Sequence, residues 1–123
     1  MAVHHLPLDR EEQLLPLDQR RAGVAGHGGP VLPLLWQELV ERRGWSVEQL
    51  WQALSWGPAA LLGLEPEALE PGSQRWLLFD PHHSWRCEAS ASPSRAANQP
   101  WLGRPLSGRI LASGLTAPGR WLL

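Results

Sequence analysis

The sequence has no lysine: all 11 of its basic residues are arginine. That excludes a lysine Schiff base, a carboxylated lysine bridging two metals and the lysine of a phosphate loop. Cysteine is nearly as scarce. Cys87 is the only one, so no internal disulfide can form. A thiolate metal site, which takes several cysteines, is excluded with it. A lone thiol suits a reducing compartment, and a cytoplasmic location is expected. Long apolar runs are missing too. The longest, around Val31 to Trp36, is broken by Pro33 and is far shorter than the ~20 residues of a membrane span. The opening Met-Ala-Val-His-His has no basic region leading into an apolar one, so no signal peptide is expected. Neither sign of charge dominates, with 11 basic against 12 acidic residues. This leaves no electrostatic footprint for nucleic acid or for an anionic membrane.

What is present points to one small domain. The chain has 123 residues, 43% of them hydrophobic, with 8 Trp, 12 Gly and 12 Pro. So much glycine and proline keeps regular elements short and interrupted. Residues 1–8 read as a short strand and turn, and the charged stretch from Asp9 to Arg21 as an exposed loop. Gly23, Gly26, Gly28 and Gly29 form a glycine-rich loop. It matches neither the dinucleotide nor the phosphate-loop spacing. A plain mobile loop is the first reading and an active-site lid the second.

Three helical patterns follow. Leu32, Leu35, Trp36, Leu39 and Val40 share one helix face, with Pro30 and Pro33 in the first turn and Gly44 at the end. Ser46 caps a second helix, with Gln49 as its capping-box partner, and Val47, Leu50, Trp51 and Leu54 form its stripe. A third, short helix opens at Pro58 and stops at Gly63. Trp36 and Trp51 are core residues by their spacing. The period then changes to that of strands, at Arg75–Phe79, His83–Glu88 and Arg109–Ala112, with one helical turn within Ser90–Ala97. Asp80 caps a polar turn carrying His82 and His83. Trp76, Trp85 and Trp101 are expected beneath the strands, and the end of the chain from Thr116 is expected to fray. The fold class is α+β: helices beside a small sheet from residues 74–88 and 108–113.

The order of short elements from Gly57 to Gly108 is informative. Gly57-Pro58-Ala59 and Leu61-Leu62-Gly63-Leu64 are followed by Glu70-Pro71-Gly72-Ser73 and Trp76-Leu77-Leu78-Phe79-Asp80-Pro81. Asn98-Gln99-Pro100-Trp101-Leu102-Gly103 and Gly108-Arg109-Ile110-Leu111 complete it. This combination resembles the C-terminal segment of dihydroorotases, in the amidohydrolase superfamily. The resemblance implies a C-terminal fragment of a distorted (β/α)8 barrel, its last strand and helices, plus part of a small β-sandwich. Residues 1–64 are then the end of the barrel and residues 65–123 the sandwich segment.

The resemblance also implies where chemistry is to be sought. In the family, zinc polarises a cyclic amide carbonyl and activates water, and a carboxylate moves the proton; the reaction interconverts dihydroorotate and carbamoyl aspartate. The end of the eighth strand carries Asp-His-x-Pro-His, of which the Asp is the acid/base and the second His contacts substrate. Here the segment is His4-His5-Leu6-Pro7-Leu8. His4 stands at the catalytic Asp position and Leu8 at the substrate-His position. His5, Gly23, Gly26 and His27 are the substrate-binding candidates. A catalytic zinc takes three protein ligands, and adjacent residues such as His4 and His5 on a strand point to opposite faces. No metal site, and no cofactor, is therefore expected in this chain alone, although the intact family uses zinc. The partners this implies are a polypeptide that completes the barrel, or aspartate transcarbamoylase. Neither a nucleic acid nor a membrane is expected.

Overall fold

A computed structural model describes residues 1–26, 29–65, 67–92 and 94–114. They form an α+β arrangement of three helical rods and a two-stranded antiparallel sheet. The expected frayed end from Thr116 lies outside the described residues.

The first rod is α1, Arg10–Leu14, where the charge pattern suggested only a loop. Asp9 explains it. Its side chain accepts from the Glu12 amide at 2.7 Å, and Glu12 reaches back to the Asp9 amide. This is the capping-box exchange, which nucleates even a short helix. Arg21 then pairs with Glu12 at 2.6 Å. Residues 1–8, expected as a short strand and turn, form no regular element and join no sheet among the described residues.

The second rod begins as α2, Val31–Leu35, and continues as a π-helical stretch, Trp36–Arg42. Gly44, at φ 70°, closes it. The third rod is α3, Val47–Trp51, then a π-helical stretch, Gln52–Trp56, then α4, Gly57–Leu61. Ser46 and Gln49 form the expected capping box. The second and third expected helices are thus a single rod. Pro58 has no N–H to donate and its ring crowds the preceding turn. The wider π turn just before it, closed by the Gly57 amide on Gln52 O, accommodates both constraints. Gly63 ends the rod with the Leu64 amide on Ala59 O and its own amide on Ala60 O, the hydrogen-bond pair of a glycine helix stop.

The sheet pairs β1, Leu77–Arg86, with β2, Pro105–Ser113. Neither strand stops where expected: β1 runs through Asp80-Pro81 instead of ending there. It can do so because the register shifts. Asp80 faces Arg109 and Ser84 faces Ser107, so Pro81, His82 and His83 bulge opposite Gly108 alone. Proline lacks an N–H and so leaves no ladder donor unpaired in the bulge. The expected turn is retained inside the strand, with the His82 amide on Asp80 Oδ1 at 2.9 Å. The helical turn expected within Ser90–Ala97 is a single 3₁₀ turn, Ala89–Ala91.

The core is small. Leu8, Ala25, Leu50, Cys87, Ala96, Leu106 and Ala112 are its buried hydrophobic members. Trp36 stacks at a tilt on Phe79, ring centres 5.3 Å apart. Trp85 is half-buried and donates its indole N–H to Gly108 O at 2.7 Å. Trp76, expected beneath the strands, is instead exposed.

Candidate functional site

The candidate residues come from two segments, 4–8 and 23–26, and the structure lays one against the other. The Leu6 amide donates to Val24 O at 3.1 Å. Both glycines are needed for this approach. A Cβ on Gly26 would lie 2.5 Å from His4 O, and one on Gly23 would lie 2.5 Å from Leu6 Cβ. Any larger residue would force the segments apart. His4, His5, Gly23 and Gly26 are therefore brought together. His4 is exposed and His5 half-buried. His27 lies outside the described residues.

A third segment holds these two. Asn98 Oδ1 accepts from the Leu8 amide at 2.8 Å. Its Nδ2 donates to Leu6 O at 2.8 Å and to Gly23 O at 3.1 Å. The backbone continues the connection, with the Ala25 amide on Asn98 O and the Ala97 amide on Leu8 O. Sequence reasoning read Asn98 as a family marker in Asn-x-Pro-Trp-x-Gly and missed this contact. An amide side chain can accept once and donate twice, but nothing local in the sequence says which carbonyls it meets.

Leu8, at the position of the family's substrate histidine, is only 3% exposed. It is packed as a core residue and presents nothing polar to a ligand. A cleft of about 250 Å³ lies next to the two segments, lined by Val3, Val24, Ala25, Gly26, Leu35 and Trp101 among others. All of its lining residues are apolar, so it offers no charged side chain to an anion.

The described residues do not fit a catalytic zinc. Among the described residues, no three His, Cys, Asp or Glu side chains stand close enough together to hold a metal ion. His82 and His83 lie on the β1 bulge. The groups with shifted ionisation lie outside these segments. Glu38 is lowered by hydrogen bonds from Arg43 and then Arg42. Glu48 is lowered by hydrogen bonds from its own amide and from Ser46. Burial pushes the Cys87 thiol up. No helix among the described residues is long and apolar enough to cross a membrane.

No family model matches the chain. Individual relatives do. A probable dihydroorotase-like protein of Synechocystis is 37% identical over 112 residues, which are 91% of this chain and 24% of the relative. The dihydroorotase of Chlorobaculum tepidum is 32% identical over 112 residues, 90% of this chain and 25% of that one. The dihydroorotase of Pelobacter propionicus is 31% identical over 114 residues, 92% of this chain and 26% of that one. The chain thus spans about a quarter of the length of the curated relatives it matches. Along nine-tenths of its residues the chain is therefore similar to proteins named dihydroorotase, as a C-terminal portion of such a protein would be.

Proposed function

We propose that this chain is the C-terminal scaffold of a dihydroorotase-like amidohydrolase, truncated or degenerate, and that alone it does not hydrolyse cyclic amides. Residues 1–64 are the end of the barrel and residues 65–123 the sandwich segment, in a cytoplasmic protein. The burial of Leu8 carries the reading. The position that should meet the substrate carboxylate is committed to packing, and its amide is taken by Asn98. His4 stands where a carboxylate is required. A neutral imidazole can move a proton but brings no negative charge to the site.

The test is an assay of purified chain with dihydroorotate and added zinc. The expected result is no turnover above the protein-free control. Turnover that scales with the chain and is lost in His4→Ala overturns the reading.

A second reading is that the chain serves as a non-catalytic partner, completing another amidohydrolase chain or binding aspartate transcarbamoylase. Its surface supports this. Leu61, Leu62, Leu64 and Leu69 are 88%, 72%, 57% and 86% exposed within one short stretch, an apolar concentration that soluble monomers seldom leave uncovered. The two-stranded sheet also has no third strand on either side among the described residues, and unpaired strand edges invite pairing. Co-elution with either partner in size-exclusion chromatography is the expected result; elution as a lone monomer beside unbound partner counts against it.

A further inference from the structure

We propose that Asn98 is a positioning residue of the candidate site, a side chain that sets where residues 4–8 lie relative to the segment 23–26. The inference rests on the reading that these two segments derive from the substrate-facing part of the fold.

Neither segment belongs to a regular element; the Leu6 amide donates to Val24 O between them, and Arg21 reaches Pro7 O at 3.3 Å beside them. Asn98 spans the junction. Its acceptor fixes the Leu8 amide, and its two donors reach one carbonyl on each segment, those of Leu6 and Gly23. The three groups come from sequence separations of 90, 92 and 75 residues. One planar group, with its acceptor and donors on fixed sides, therefore converts three distant strands of chain into one geometry. His5 precedes Leu6 directly, so the backbone that carries it is clamped at its next residue. Aspartate has nearly the same shape but no N–H donors; it can keep the Leu8 contact and must lose the other two. Alanine loses all three.

Asn98 is itself held from behind. Gln99, its neighbour, donates to Ser94 O and Ala96 O and accepts from the Ser92 hydroxyl. The Ala97 amide is fixed on Leu8 O. Gln99 thus ties down the backbone next to Asn98, whose own side chain serves the junction.

The experiment is amide hydrogen exchange and chemical-shift mapping on the 123-residue chain and on Asn98→Ala and Asn98→Asp. In N98A, exchange at Leu6, Leu8 and Ala25 should accelerate by about tenfold or more, and the ring resonances of His4 and His5 should move. In N98D, Leu8 should stay protected while Leu6 and Ala25 accelerate. In both variants the Cys87 and Gly103 amides, which bond to Arg104 O and Cys87 O across the other side of the fold, should keep their protection. Three results overturn the proposal. One is unchanged exchange at Leu6, Leu8 and Ala25 in N98A, which would mean that burial of Leu8 alone holds the junction. Another is equal loss at all amides in both variants, which would make Asn98 a general stability residue. The third is absence of Leu8 protection in the unsubstituted chain. Exchange reads geometry and not turnover, so catalytic activity in the assay above would leave this outcome untouched.

Discussion

Gly108 offers a quantitative test of the packing between the helices and the sheet. Its φ is 93°, a backbone conformation that costs an L-residue roughly 1–2 kcal/mol. An added Cβ would also lie 2.8 Å from Phe79 Cζ, 3.2 Å from Phe79 Cε2 and 3.4 Å from Pro33 Cα. The ring also packs at a tilt on Trp36, 5.3 Å between centres, and Pro33 is fully buried. Overpacking of this kind costs about 1–3 kcal/mol, so Gly108→Ala should destabilise by roughly 2–5 kcal/mol in total. Gly103 provides the control. Its φ is 77°, yet nothing lies within 4 Å of an added Cβ. Gly103→Ala should therefore show only the backbone cost, roughly 1–2 kcal/mol. Urea titration followed by tryptophan fluorescence compares the two directly. With a slope of about 1–3 kcal/mol per molar, the G108A midpoint should lie ~1 M below that of G103A. Equal midpoints would refute the claim that Phe79 is pinned between Trp36 and Gly108.

Other outcomes follow from single features. Leu50 is 1% exposed, and Leu50→Ala should cost about 2–5 kcal/mol by the same titration. Asp9→Ala removes the cap of α1 and should cost about 1 kcal/mol, read as faster exchange of the Glu12 and Gln13 amides with little change at Leu50. Glu38 is hydrogen-bonded by Arg43 and Arg42, which hold its carboxyl below the ordinary 4.5. Its contribution is therefore complete above that value and lost as pH falls through the lowered one. The difference in melting temperature between wild type and Glu38→Gln should shrink on acidification, and also in high salt, since the pairs are exposed. Cys87 is buried and its thiol is pushed up, so a disulfide reagent should label it only as fast as the fold opens.

The sequence disclosed those elements whose cause is local. Ser46 and Gln49 announce a helix start because the capping box needs only residues three apart. Asp9 and Glu12 use the same grammar, but the charges around them suggested a solvated loop, and the helix they start is only a single turn or so. Gly44 and Gly63 marked both rod ends, since a positive φ selects glycine. Pro58 misled, because it suits a first turn and nothing in its neighbours reveals the π turn that lets a rod pass through it. The strand β1 was broken in two on the strength of Asp80-Pro81. Only the partner strand, with Gly108 facing three residues, shows that the ladder resumes. Of the site, His4, His5 and the glycines were visible as residue types, and the matching glycine positions and family order suggested that they belong together. The clamp at Asn98 was not visible, because it depends on which carbonyls converge over a separation of some 90 residues.

That separation has a consequence for how the molecule is made. Leu8 acquires its hydrogen-bond partner only when residue 98 has been synthesised, 90 residues later. At roughly 5–20 residues per second, the interval is about 5–18 s, long against the time in which helices and hairpins form. Throughout it the rods at 31–42 and 47–61 can fold, while the apolar side chain of Leu8 has no core to enter. For seconds, then, the Leu8 amide waits without the partner that fixes it in the finished fold.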